Sequence, residues 1–185
     1  LFYGSVACPY CAASSWAVYE ALSQFGSLSG WSYATSTSSD VYPSTPEVSL
    51  VSTSVASTSL SIDIREANDP QQITLPPVSP VEQAYVNAYN TGGGIPFLVV
   101  GGVYIHVGTL VDPASLESGG TALTPQHVAQ SLANANPSDP VYAAIHQAQL
   151  YLEAYFVKID QAAGITPPTS VAGDPSVAAI VAQIT

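Results

Sequence analysis

An apolar run, Leu1-Phe2-Tyr3-Gly4-Ser5-Val6, leads within two residues into Cys8-Pro9-Tyr10-Cys11, and a helix-patterned stretch follows at once. The run is short and strand-like. From about Ala12 to Phe25 the apolar positions Val18, Leu22 and Phe25 fall on one helical face, with Glu20, Ser23 and Gln24 on the other and Gly26 as a stop. Both cysteines of the chain therefore sit at a strand-to-helix junction. Trp31 to about Thr37 is a second strand candidate.

From Thr35 to Ser61, 15 of 27 residues are Ser or Thr, a composition that a linker could also have. Alternation argues for structure instead. Leu60, Ile62 and Ile64 interleave with Ser59, Ser61, Asp63 and Arg65, as in a half-buried strand, and Val48 and Leu50 point to a partner. Residues 40–78 are therefore expected to form an inserted β element ending in Leu75-Pro76-Pro77-Val78. Four helices then carry one start signal, a capping residue followed by proline: Ser79-Pro80, Thr124-Pro125, Asp139-Pro140 and Asp174-Pro175. Glu82 stands in capping-box spacing to Ser79. The helix after Asp139 is the longest, with Val141, Ile145, Ala148, Leu152, Tyr155 and Ile159 on one stripe before Gly164. Gly92-Gly93-Gly94 precedes Ile95-Pro96, and Phe97–Val100 and Val103–Val107, separated by Gly101-Gly102, read as a hairpin.

Charge limits the partners. Arg65 and Lys158 face 13 carboxylates, for a formal net charge of −11, and charged residues are only 8% of the chain. No basic stripe can be built, which excludes phosphate neutralisation on nucleic acid and attraction to an anionic membrane surface. No apolar run approaches the roughly 18 residues of a membrane span. The 37 Ser and Thr residues take over the solvating role of Lys and Glu, and methionine is absent even from position 1. These features point to a processed chain working outside the cytoplasm, secreted or at the cell surface, with adaptation to acid as a further expectation.

Cys8-Pro9-Tyr10-Cys11 carries the most specific chemistry. Thiol–disulfide exchange needs a thiolate to attack and a second thiol to resolve the mixed disulfide. A helix N-terminus lowers the first thiol's pKa, which makes Cys8 the nucleophile and Cys11 the resolving thiol. Haem attachment needs a histidine after the second cysteine, where Ala12 stands. A zinc site would have to recruit His106, His127 or His146 at spacings unlike a finger. An inert staple is the serious alternative, but a two-residue loop restrains little chain. Asp63, Glu66 and Asp69 read as a solvated strand end, and residues 1–6 hold no carboxyl or basic side chain to act as a buried proton relay. No metal or dissociable cofactor is called for.

The order strand, Cys-x-x-Cys helix, strand, helix, X-Pro strand, hairpin strand and helix matches the thioredoxin fold element for element. The stretches Ala7–Ala13 with Trp16, Leu22–Gly26, Thr35–Pro46 and Gly94–Phe97 with Gly101-Gly102 resemble one uncharacterised thioredoxin-like family. Its members are secreted or membrane-tethered archaeal and actinobacterial proteins, filed as a domain of unknown function. The resemblance covers about residues 1–160. It implies an α/β, thioredoxin-like fold over residues 1–165 and extra C-terminal helices, with a tail from 166 to 185. It also implies a cis Ile95-Pro96 bond packed against the cysteines, with Ile95, Pro96 and Tyr10 bordering the substrate. Cysteines near the C-terminus, expected in many members, are absent here.

Two functions are therefore expected to compete. One is an extracytoplasmic thiol–disulfide oxidoreductase acting on cysteine-bearing secreted proteins. The other is a non-catalytic subunit of an extracellular filament, coat or surface layer, in which copies of the chain pack through a surface with little charge repulsion.

Overall fold

The computed structural model describes residues 1–66 and 78–184, a mixed α/β chain. In order, the elements are β1 (Phe2–Gly4), α1 (Pro9–Ser23), β2 (Ser27–Ser29), β3 (Ser32–Thr35), β4 (Pro46–Ser49), β5 (Ser54–Ala56) and β6 (Ile64–Glu66). Then come α2 (Pro80–Tyr89), β7 (Phe97–Val100), β8 (Tyr104–Val107), a 3₁₀ turn (Pro113–Leu116), β9 (Glu117–Ser118) and β10 (Thr121–Ala122). The chain closes with α3 (Pro125–Asn134), α4 (Pro140–Ala162), α5 (Thr169–Ala172) and α6 (Pro175–Val181).

A four-stranded sheet of order β6-β1-β7-β8 forms the centre, with β6 parallel to β1 and the other pairs antiparallel. Trp31–Thr37, expected as a second strand, is realised as β3, but it pairs with β4 in a separate ladder. The parallel neighbour of β1 is β6, which comes from the expected inserted stretch. The remainder of that stretch folds back locally, β4 on β3 and β5 on β2. Leu60 and Ile62 pack on the core without joining a strand, so the anticipated strand is confined to Ile64–Glu66. Its Leu75-Pro76-Pro77 end lies outside the described residues.

Helix starts follow their local chemistry. Ser79, Thr124, Asp139 and Asp174 each accept a backbone N–H of the first turn, and Ser79 with Glu82 forms the full capping box. The same signal at Asp112-Pro113 opens only the 3₁₀ turn. Helix α1 begins at Pro9, earlier than expected, because Cys8 is its N-cap. It has almost no wet face over its first three turns: Cys11 to Val18 are all buried, between α4 on one side and β4 on the other. Ala12, Ala13 and Ala17 allow that approach, and the buried Ser15 hydroxyl accepts the Val48 N–H at 3.1 Å. Phe25 meets Phe156 of α4 edge-on at 5.3 Å. The tail beyond Gly164 packs on α4 through Val171 and Val177.

The hairpin turn between β7 and β8 is set by Gly101, at φ +60°. A β-carbon there would collide with the Ile159 side chain of α4, in a backbone region that itself disfavours side chains. Gly101→Ala is therefore expected to destabilise the fold by about 2–4 kcal/mol, measured by denaturant unfolding. A loss below about 0.5 kcal/mol would mean that this turn does not bear on α4.

Candidate functional site

Strand β1 ends at Gly4, and a tight turn carries the chain to the helix. The Cys8 N–H donates to the Ser5 carbonyl at 3.0 Å, and the Ser5 hydroxyl accepts the Ala7 N–H at 3.2 Å. This turn delivers Cys8 to the N-cap of α1 with extended backbone angles, φ −84° and ψ 124°. Pro9 fills the first helical position, where no N–H is needed. Both thiols are free; Cys8 is partly exposed and Cys11 is buried at 1% exposure.

The two sulfurs have opposite environments. A hydrogen bond from the Cys11 thiol, above all, and the Tyr10 and Cys11 N–H groups lower the Cys8 pKa to about 7, against burial. Cys11 is pushed strongly upward, because its proton is held against Cys8 and because the sulfur is buried. The two thiols thus differ in both exposure and acidity. Cys8 holds the accessible, acidic thiol, and Cys11 the shielded one that keeps its proton.

Glycine at position 4 makes room for this arrangement. A β-carbon there would lie 3.1 Å from Cys11 Sγ. Gly4 pairs with Glu66 on β6, and the β1–β7 register of Phe2 with Leu98 and Tyr3 with Phe97, continued one step, brings Pro96 opposite Gly4. Glu66, Gly4 and Pro96 thus form one row across three strands, with the Cys11 sulfur over its middle. The Ile95–Pro96 bond is cis, Pro96 is buried, and Ile95 is partly exposed beside it. The Asn90 side chain holds Gly94 through both its amide and its carbonyl, so the glycine-rich lead is anchored where it enters this row. Tyr10 is exposed on the first turn of α1 and meets the Tyr42 ring edge-on at 5.9 Å.

A carboxyl pair behind the sulfurs was not anticipated. Glu47 on β4 is fully buried and Glu66 is 3% exposed, which corrects its reading as part of a solvated strand end. Asp69 lies outside the described residues. As carboxylates, neither Glu47 nor Glu66 has a hydrogen-bond partner among the described residues. A proton shared between the two would give each carboxyl one partner. Burial, reinforced by the Glu66 charge, raises Glu47 well above the carboxylate range, and burial pushes Glu66 up to about 7. Glu47 also feels Cys8, and Cys11 feels Glu66, so the four groups form one electrostatic unit. Parity could have revealed Glu66, which continues the Leu60, Ile62, Ile64 series. No such signal marks Glu47, because β4 is buried on both faces. His106 bonds the Thr109 carbonyl, and among the described residues no His, Cys, Asp or Glu cluster is placed to hold a metal ion.

Residues 1–61 match the model of a family described as a domain of unknown function, DUF929. The matched stretch contains both cysteines and Glu47 and stops before Glu66. No curated protein and no solved structure matches the chain.

Two measurements check this site. Alkylation of the reduced protein is expected to label Cys8 first, with a midpoint near pH 7. Labelling of Cys11 first, or a midpoint at the free-thiol value of about 8.5, would contradict the assignment. Stability should also depend on acid with an unusual sign. Burial raises Glu20, Glu47, Glu66, Glu153 and Asp160 above their ordinary values. The folded chain then binds more protons than the unfolded one between pH of about 4 and the raised values. The stabilisation is full below about pH 4 and is lost as pH rises through about 7, so thermal melting is expected to be higher at about pH 4.5 than at about pH 7.5. Glu82 and Asp139, held below their usual range, oppose this only in stronger acid. A higher melting temperature at the neutral pH would refute it.

Proposed function

We propose that this protein is a thioredoxin-like thiol–disulfide exchange protein that works outside the cytoplasm on cysteine-bearing secreted proteins. The observation that carries the reading is the asymmetric pair: an accessible, acidic Cys8 at a helix N-cap, hydrogen-bonded by a buried Cys11, with two buried carboxyls acting on the sulfurs electrostatically. The order of elements and the cis Ile95–Pro96 bond support the thioredoxin-like affiliation.

In the reducing direction the Cys8 thiolate attacks one sulfur of a substrate disulfide. The substrate S–S bond breaks, a Cys8–substrate bond forms, and the leaving sulfur departs as a thiolate that takes up a proton. Cys11 then gives its proton to the Glu47–Glu66 pair and attacks Cys8. A Cys8–Cys11 disulfide forms, and the second substrate sulfur leaves and is protonated. Two electrons pass from the dithiol to the substrate, and the reverse sequence oxidises a substrate dithiol. The carboxyl pair matters in the second step, because Cys11 has no solvent to take its proton. With Glu66 near 7, the pair can accept and return one proton close to neutrality. Pro96 stands opposite Gly4 in the row beneath Cys11, with Ile95 partly exposed beside it and Tyr10 exposed on the first turn of α1, where an extended substrate would lie.

A static building block needs none of this asymmetry, since a closed disulfide has no use for an acidic outer thiol. The low-charge surface still suits packing between copies, so exchange and assembly are measured separately. Wild-type protein is expected to reduce a small model disulfide, and Cys8→Ser to lose at least about a hundredfold in rate. Cys11→Ser is expected to trap the substrate as a mixed disulfide on Cys8, visible by mass spectrometry. Glu66→Gln should slow resolution by about tenfold or more near neutrality and shift its pH profile, while leaving the initial attack by Cys8 nearly intact. Absence of exchange by the wild type from about pH 3 to 7, with the Cys8→Ser/Cys11→Ser protein forming the same particles by light scattering, would overturn the proposal.

A further inference from the structure

On the flank of α1 away from the cysteines, a cleft of about 260 Å³ is lined by Trp16, Tyr19, Glu20, Trp31, Tyr33 and Leu132. Its aromatic rings form a connected set. Tyr19 meets Trp31 edge-on at 5.1 Å, Trp31 tilts against Tyr33 at 5.4 Å, and Tyr33 stacks on Trp16 at 5.9 Å. The rings differ in inclination by 28–67°, so they present several walls rather than one platform. The Trp16 indole is buried, donates its N–H to the Pro46 carbonyl at 2.9 Å and backs the Tyr33 ring, so the accessible aromatic surface comes from Tyr19, Trp31 and Tyr33.

Two carboxyls and one histidine set the charge around the cleft. Glu20 supplies a half-buried carboxyl, and Glu153 on the neighbouring α4 adds to it; His146, also on α4, is the opposing group near Glu20. The two strong cations of the chain are not among the groups that bear on Glu20, and Arg65 is engaged with Asp63 and Glu82. Ring faces carry negative potential, a carboxylate stands among them, and the whole molecule has a net charge of −11. A phosphate or carboxylate would find no cation here. An alkylammonium group would find aromatic faces and a counter-charge together, the combination that recognises such cations. The volume lies below the usual range for drug-sized ligands, which fits a compact head group.

We propose that the cleft formed by Trp16, Tyr19, Trp31, Tyr33 and Glu20 binds a small organic cation of the quaternary or alkylated ammonium class. The site is separate from the cysteines and does not depend on thiol exchange.

Both tryptophans of the chain line the cleft, so intrinsic fluorescence reads its occupancy directly. Purified protein is titrated with choline, with its neutral carbon isostere dimethylbutanol, with the neutral sugar maltose, and with sodium chloride at matched ionic strength. Choline is expected to give a saturable change, half-complete in or below the millimolar range, and the other three none. Tyr33→Ala, at a residue 40% exposed and so tolerant of truncation, is expected to weaken choline binding about tenfold. Glu20→Gln should weaken it while leaving the fluorescence of the free protein unchanged. An equal response to dimethylbutanol or maltose, a linear unsaturable response to choline, or unaltered affinity in Tyr33→Ala would each overturn the assignment.

Discussion

Two carboxyl side chains share a dry space behind a buried thiol, and that space is closed by the same contacts that hold the fold together. Glu47 and Glu66 arrive from different strands, β4 and β6, and β4 is packed against α1, which in turn packs on α4. The small residues of α1, the absence of a side chain at Gly4 and the buried Ser15 hydroxyl on Val48 all serve that close approach. Removing water makes an unshared charge costly, so the pair retains a proton and Cys11 keeps its own. Cys8, one helical turn away and at the helix N-terminus, gains what Cys11 withholds: a hydrogen bond to its sulfur and a pKa lowered to about 7.

Much of this architecture was legible in the chain because its signals are local. A capping side chain followed by proline marked four helices, and the pair Phe97–Val100 and Tyr104–Val107 around glycines marked the hairpin. A helix N-terminus close to Cys8 followed from an apolar strand running into Cys-x-x-Cys, although the helix starts at Pro9 rather than near Ala12. What failed depends on contacts far apart in sequence. Nothing local tells β3 to pair with β4 rather than join the central sheet, or lets three residues, Ile64–Glu66, take the place beside β1. Glu66 was misread because carboxylates near Asp63 suggest solvent, whereas its alternation with Ile64 and Ile62 pointed inward. Glu47 was invisible because a strand buried on both faces leaves no polar–apolar rhythm to read.

The scarcity of charge has a second meaning in the folded chain. Five carboxyls are raised by burial, and Arg65 is held by Asp63 and Glu82 at the edge of the sheet. A molecule built this way is best balanced where those carboxyls are neutral. Acid that stabilises the fold also depletes the Cys8 thiolate, so the pH of greatest stability and the pH of fastest exchange should lie apart.

The central claim is that Glu47 and Glu66 hold a proton that answers to the state of the cysteines. Infrared difference spectroscopy between the reduced and oxidised protein at neutral pH tests it most directly. A protonated carboxylic acid carbonyl band is expected that shifts on oxidation of Cys8 and Cys11 and disappears in the Glu47→Gln/Glu66→Gln double variant. A spectrum with no protonated carboxyl at neutral pH, or with a band indifferent to the cysteines, would contradict it.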